Sequence, residues 1–196
     1  MDANTLTAYN KQAKTFAKDW LEQPAPDDMY ELLNHYFKPG LTADIGCGAG
    51  RDTAWLSKNN FDVIGYDASA ELLREARQHF PDVAFEFAAL PGLEEIEPQK
   101  KFQNVLCETV IMHLEAQQVR AATRRLLDIL RPQGTLFLSW RVTDGVSQRD
   151  KHQRLYSSFD AEMVLNECQG HTVLINNVEV SQSSGKTVHR VIVQKS

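Results

Sequence analysis

The stretch LTADIGCGAGRD, residues 41–52, constrains this chain more than any other. Leu41, Ala43 and Ile45 form a short apolar run, preceded by Pro39-Gly40 and followed by glycine. Length and flanks predict a buried strand. Gly46, Gly48 and Gly50 then recur at alternate positions, and helical spacing takes over in RDTAWLSKNN. A strand that opens through glycines into a helix makes a cradle for an anion or a cofactor. Missing side chains let a ligand reach the backbone, and the helix start offers unpaired N–H groups. Dinucleotide-binding loops carry G-x-G-x-x-G. Here the spacing is G-x-G-x-G, with Asp44 two residues before the first glycine.

The rest of the chain places this loop in an alternating α/β pattern. Leu6, Tyr9, Ala13, Phe16, Ala17 and Trp20 have helical spacing over 5–21. Asp27 or Asp28 is positioned to cap a second helix, with Met29, Leu32, Leu33, Tyr36 and Phe37 as its buried stripe. FDVIGYD, at 61–67, suits a buried parallel strand ending in Asp67. That acid lies roughly 20 residues past the glycine loop, where nucleoside-binding α/β folds place the group that bonds ribose hydroxyls. A carboxylate suits a diol because it accepts two hydrogen bonds at once. A helix is expected over 69–80, which Ser69 can cap, then a third strand in VAFEF. Residues 92–101 look like a short helix or a solvated connection, and a fourth strand over 102–107 ends at Cys107-Glu108. An amphipathic helix through Leu130, the turn RPQG and the strand TLFLSW follow, with Gly134 available for a left-handed turn position. The segment 141–158 is polar and irregular, and a short helix begins near Phe159-Asp160. HTVLINNVEV and KTVHRVIVQK, separated by SQSSG, alternate well enough for an antiparallel strand pair.

D-I-G-C-G-A-G resembles the first motif of the class I S-adenosylmethionine-dependent methyltransferases, and L-R-P-Q-G-T-L-F-L resembles the family's L-x-P-G-G-x-L block, with Gln133 in place of one glycine. The resemblance covers residues 41 to about 194. It implies a Rossmann-like, doubly wound α/β sheet of seven mostly parallel strands with the last antiparallel. Residues 1–196 then form a single domain, with 1–40 a helical lid and 41–196 the cofactor-binding core. The cofactor implied is S-adenosyl-L-methionine, leaving as S-adenosyl-L-homocysteine. Its contacts would come from Gly46, Cys47 and Gly48, from Asp67 with Ala68, and from the backbone of Cys107 and Glu108 at the methionine part. Arg51 would pair with its carboxylate and Asp44 would receive its amino group. Where the family commonly has an acid for the adenine amino group, this chain has Ala88, which leaves adenine to the backbone of Ala88 and Ala89 and to packing by Leu90. Tyr9 is a candidate lid aromatic near the methyl group, and His113, in a family-like H-L pair, a candidate site-lining residue or base. Arg141 would wall the acceptor pocket, since guanidinium fixes a carboxylate or phosphate bidentately.

Methyl transfer from a sulfonium needs alignment and dryness more than a base, so no triad or metal cluster is required. None is visible in the sequence. With 196 residues and a net charge of −5, the chain suits a single soluble domain and disfavours nucleic acid or an anionic membrane as its partner. Cys-Glu-Thr-Val stands where DNA-base amino-methylases carry D/N-P-P-Y/F, so a small-molecule acceptor is expected. Three scattered cysteines and an N-terminus without an apolar core point to the cytoplasm, with a monomer or homodimer as the expected form. Two rivals are a non-catalytic S-adenosylmethionine binder, suggested by Ala88 and the lack of a clear base, and a nucleotide-cofactor oxidoreductase, which the loop spacing opposes.

Overall fold

The computed structural model describes residues 1–143 and 145–196, so position 144 of the expected 141–158 loop lies outside the described residues. Helices α1 (Ala3–Lys11), α2 (Ala13–Glu22) and α3 (Asp27–Tyr36) precede β1 (Leu41–Ile45). Then come α4 (Arg51–Lys58), β2 (Asp62–Asp67), α5 (Ala70–His79), β3 (Ala84–Phe87), β4 (Phe102–Cys107), α6 (Val119–Asp128) and β5 (Leu130–Arg141). A two-stranded ribbon of β6 (Gln148–Arg149) and β7 (Leu155–Tyr156) and the short helix α7 (Glu162–Leu165) lead to β8 (Thr172–Val180) and β9 (Thr187–Gln194).

The main sheet has seven strands in the order β3-β2-β1-β4-β5-β9-β8. β1 pairs in parallel with both β2 and β4, while β9 runs antiparallel between β5 and β8. This is the Rossmann-like sheet expected from the sequence, including the antiparallel last strand. Because α4 leaves β1 toward β2 whereas β4 lies on its other side, the chain reverses its direction of travel between β1 and β4. The carboxyl ends of those strands open into a crevice there.

Alternation along the central strands covers both faces. Val105, Leu136, Leu138, Val191 and Val193 belong to one core layer under α6, and Leu106, Phe137 and Ile192 to the opposite layer with Met29 and Leu33 of α3. Within the second layer β9 buries Arg190, 1% exposed, in ion pairs with Asp28 and Glu179. Full burial of a guanidinium is tolerated when carboxylates face it. Among the described residues no helix is long and apolar enough to cross a membrane.

Four local expectations need correction. The helix expected over 5–21 is two helices broken at Gln12, whose φ of −122° leaves the helical region. Apolar spacing continues through the break without glycine or proline, so the pattern could not mark it. Neither Asp27 nor Asp28 caps α3, whose N-cap is Pro26; both lie in its first turn, and Asp28 is turned toward Arg190 at 2.7 Å. The 92–101 connection is not merely solvated. Leu93 and Ile96 are buried in the core, and Arg125 donates to the carbonyls of Gly92 (2.7 Å) and Leu93 (3.1 Å).

The last correction concerns RPQG: Gln133, at φ +62°, takes the left-handed position, and Gly134 does not. Gly134 is needed for room instead, since a Cβ there would lie 2.9 Å from the Arg131 carbonyl. A non-glycine left-handed residue costs about 1 kcal/mol. Gln133→Gly should therefore stabilise the fold by about 0.5–1 kcal/mol. An upward shift of the urea midpoint at unchanged slope would register it.

Candidate active site

The crevice begins at the glycine loop. Gly46 and Gly48 have φ of +81° and +55°, and a Cβ on Gly46 would overlap the Val110 side chain. The loop is sewn down by the N–H groups of Gly46 and Cys47, which both donate to the Tyr66 carbonyl at 2.7 and 3.0 Å. Above Gly48 lies Trp20 of α2, 3.0 Å from where a Cβ would stand. Asp67, at the end of β2 and 6% exposed, closes this corner. One of its oxygens accepts from Gly48 N at 2.9 Å and the other from Ser69 N at 2.7 Å. Ser69, not Asp67, caps α5, its hydroxyl accepting from Leu72 N at 3.2 Å. Each Asp67 oxygen therefore keeps acceptor capacity toward the crevice.

One end of the cleft is acidic. Glu108, at the end of β4, accepts from the Ser139 hydroxyl, and burial pushes its pKa up to about 7. Asp52 at the start of α4 is held bidentately by Arg51 (2.8 and 3.1 Å) and accepts from the Tyr30 hydroxyl at 2.8 Å. Arg51 also donates to Ser183 Oγ at 3.2 Å, tying α4 to the β8–β9 turn. Beneath the loop, Asp44 accepts from Thr53 Oγ1 at 2.6 Å. Burial, then the neighbouring Asp52 charge, raises its pKa to about 7.

The other end is aromatic and cationic. The Tyr9 hydroxyl and His113 Nε2 are 2.8 Å apart, while His113 Nδ1 is 2.6 Å from the Leu155 carbonyl. A carbonyl only accepts, so Nδ1 carries the proton and the Nε2 lone pair receives the Tyr9 O–H. Burial lowers the His113 pKa to about 4 and raises that of Tyr9. The Arg154 guanidinium is paired with Asp150 at 2.7 Å and lies 4.6 Å from the Phe16 ring centroid. Arg141 sits 5.2 Å over the Tyr156 ring. The enclosed volume is about 340 Å³, within the range of small-molecule sites.

Of the residues singled out in the sequence, Gly46, Cys47, Gly48, Arg51, Asp67, Glu108, Tyr9, His113 and Arg141 line this one cleft. Asp44 and Cys107 are buried and are not on its wall. Nor are Ala68, Ala88, Ala89 and Leu90: Ala88 N donates to the Asp67 carbonyl at 3.3 Å, Ala89 N to Glu95 at 3.4 Å, and the Leu90 carbonyl accepts from the Met1 amino group at 2.7 Å. Residues missed in the sequence are Trp20, Arg154, Tyr156, Ser183 and Lys186. Trp20 carried only a packing signal. Arg154 and Tyr156 lay in an aperiodic stretch, and Ser183 and Lys186 in what resembles an ordinary hairpin turn.

Known proteins resemble the chain in part of its sequence and in its fold. A family model described as a methyltransferase domain matches residues 43–134. A trans-aconitate 2-methyltransferase of Rhodopseudomonas palustris is 36% identical over 85 residues, 39% of this chain and 31% of that protein. A ubiquinone biosynthesis O-methyltransferase of Methylococcus capsulatus is 33% identical over 102 residues, 49% of this chain and 41% of that one. The matched region thus spans well under two thirds of these relatives. In fold, the chain is similar to the Burkholderia thailandensis 1,6-didemethyltoxoflavin-N1-methyltransferase, solved with S-adenosylhomocysteine. There the TM-score is 0.76 at 21% identity, over 99% of this chain and 88% of that one.

Asp44 supplies a test of the electrostatics. Its folded pKa lies above the unfolded value, so the folded state holds the extra proton and Asp44 costs stability as pH rises from about 4 to 7. Asp44→Asn removes that cost. Relative to the unsubstituted protein, the variant should gain on the order of 4 kcal/mol between pH 4 and pH 8. Urea unfolding across that range would show a constant offset instead if Asp44 were an ordinary carboxylate.

Proposed function

We propose that this chain, whose residues 43–134 are a methyltransferase domain and whose fold is that of the class I S-adenosylmethionine-dependent methyltransferases, transfers the methyl group of S-adenosylmethionine to a small molecule. The observation that carries the reading is Asp67. A buried carboxylate, aimed by two backbone N–H groups into the crevice beside a side-chain-free loop, suits a ribose diol. Gly46, Cys47 and Gly48 would give backbone to the cofactor, and Glu108 and Asp52 would receive its amino group. When bound, the cofactor supplies a methyl group on a sulfonium, a strong electrophile. Tyr9 and Trp20, from α1 and α2, would act as the lid that orients the acceptor and excludes water.

The relatives named above are, by name, a trans-aconitate 2-methyltransferase and an O-methyltransferase of ubiquinone biosynthesis, which supports small acceptors. A second reading, a binder without turnover, is favoured by one observation: the His113 lone pair is already engaged by Tyr9. An NAD-dependent reading fits less well, because the loop lacks the third glycine spacing.

Isothermal titration separates these. S-adenosylmethionine and S-adenosylhomocysteine should bind with micromolar affinity, NAD should not, and Asp67→Ala should weaken binding at least tenfold. Failure of both sulfur ligands to bind would overturn the proposal. Binding of S-adenosylmethionine without transfer to any acceptor in a broad panel would favour the second reading.

A further inference from the structure

We propose that Glu108 Oε1 gives up a proton to seat the ammonium of S-adenosylmethionine, so that cofactor affinity falls as the medium acidifies. This rests on the methyl-transfer reading above and adds a pH control to the same site. Among the described residues, three carboxylates line the cleft: Asp52, Asp67 and Glu108. Asp52 already has three donors, Arg51 Nε at 2.8 Å, Arg51 Nη2 at 3.1 Å and the Tyr30 hydroxyl at 2.8 Å. Asp67 has one backbone donor on each oxygen. Glu108 has the Ser139 hydroxyl on Oε2 alone. Nothing among the described residues donates to its Oε1, which opens on the cleft.

The hydrogen bonds around Glu108 also say where its proton sits. Ser139 Oγ accepts from Thr109 N at 3.0 Å, which turns the one hydroxyl hydrogen toward Glu108 Oε2. A carboxyl group that accepts at Oε2 carries its own proton on Oε1, where a ligand must meet it. Burial favours the protonated form and holds the pKa at about 7, against the Ser139 hydroxyl and the Arg190 charge, which pull it down. The neighbouring elements supply the other charges: Asp52 and Arg51 from α4, Arg190 from β9 and Asp44 from β1 beneath the loop. Cys107, the residue before it on β4, is a buried thiol whose pKa burial pushes up. Arg141 and Lys186 stand farther along the cleft wall.

The fold holds a second cation ready for the ionised form. Arg190 stands opposite Ser139 across the β5–β9 pair, and its two terminal nitrogens face Glu179 and Asp28. Its Nε–H is buried without an acceptor. Burial opposes the Arg190 charge, and Glu108 is foremost among the acids that sustain it. When Glu108 releases its proton to solvent, Oε1 accepts from the ammonium, and the new carboxylate has a cation on either side. No bond of the ligand breaks. A ligand without the amino group leaves the proton in place.

The test is isothermal titration of the full chain with S-adenosylhomocysteine and with 5′-methylthioadenosine, which keeps the nucleoside and lacks the amino acid. Below about pH 7 the ligand competes with the Glu108 proton, so S-adenosylhomocysteine should bind about tenfold more weakly at pH 6 than at pH 8. Buffers of different ionisation enthalpy should show release of about one proton per ligand at pH 6 and almost none at pH 8. 5′-Methylthioadenosine should show neither effect. Glu108→Gln should weaken S-adenosylhomocysteine at least tenfold at pH 8 and abolish the pH dependence, with 5′-methylthioadenosine affinity within twofold. Ser139→Ala removes a donor that favours the ionised form, so the midpoint of the dependence should move to higher pH. Asp44 titrates in the same range, and Asp44→Asn should keep the dependence. Failure of both ligands to bind would sink the methyl-transfer reading itself. S-adenosylhomocysteine binding with a flat pH profile would overturn this proposal alone. So would an equal dependence for 5′-methylthioadenosine, its survival in Glu108→Gln, its loss in Asp44→Asn or an unmoved midpoint in Ser139→Ala.

Discussion

Two hydrogen bonds to Asp67 hold the architecture of the site together. One comes from the backbone of Gly48, at the crown of the loop after β1; the other comes from Ser69, at the entry to α5. A single carboxylate therefore joins the turns that follow two adjacent parallel strands. Both donors are backbone groups that the loop and the helix start would otherwise leave unpaired. Burial makes the charged form costly, and those donors lower the cost. The glycine loop follows its left-handed path because no Cβ stands at Gly46 or Gly48, and the same absence lets Val110 and Trp20 press close against it. Remove the carboxylate, and loop and helix lose the tie between them.

Charge is distributed around this tie with a clear polarity. Toward β4 and α4 lie carboxyl groups, and two of them, Asp44 and Glu108, have pKa values raised by burial and by the charge of Asp52. Toward β7 and α1 lie arginines stacked on aromatic rings, with a histidine kept neutral. The buried Arg190 balances the acidic side from below, drawing on Asp28 and Glu179. A sulfonium amino acid would find a field complementary to its ammonium at the acidic end.

Much of this was legible in the sequence because short-range constraints produced it. The loop glycines, Asp67 and the strand pattern depend on neighbours close in the chain, where periodicity and spacing carry information. The β8–β9 pair was also visible, through alternation. What escaped depended on distant partners. The break at Gln12 falls between two helices that both pack on α5, and the apolar pattern runs straight across it. Gln133 occupies a strained position that its neighbour Gly134 was equipped to take, because Gly134 is needed where two carbonyls crowd in. Asp28 looked like a cap and is a counter-ion, since its partner lies 162 residues away. Arg154 and the Ser183 turn reach the cleft through tertiary folding alone.

The hydroxyl of Ser69 has a second partner besides the α5 backbone: it donates to Asn10 Oδ1 of α1 at 2.7 Å. Asn10 is the next residue after Tyr9, so the helix that covers the cleft is anchored on the same turn that aims Asp67. Cover and seat are thereby mechanically linked. Disturbing the Asp67 corner would loosen the helix over the cleft, and a ligand that stiffens the corner would steady it. Under the proposed reaction, such a linkage would favour an ordered kinetic sequence, in which the nucleoside half enters first and the second substrate meets a chamber already roofed.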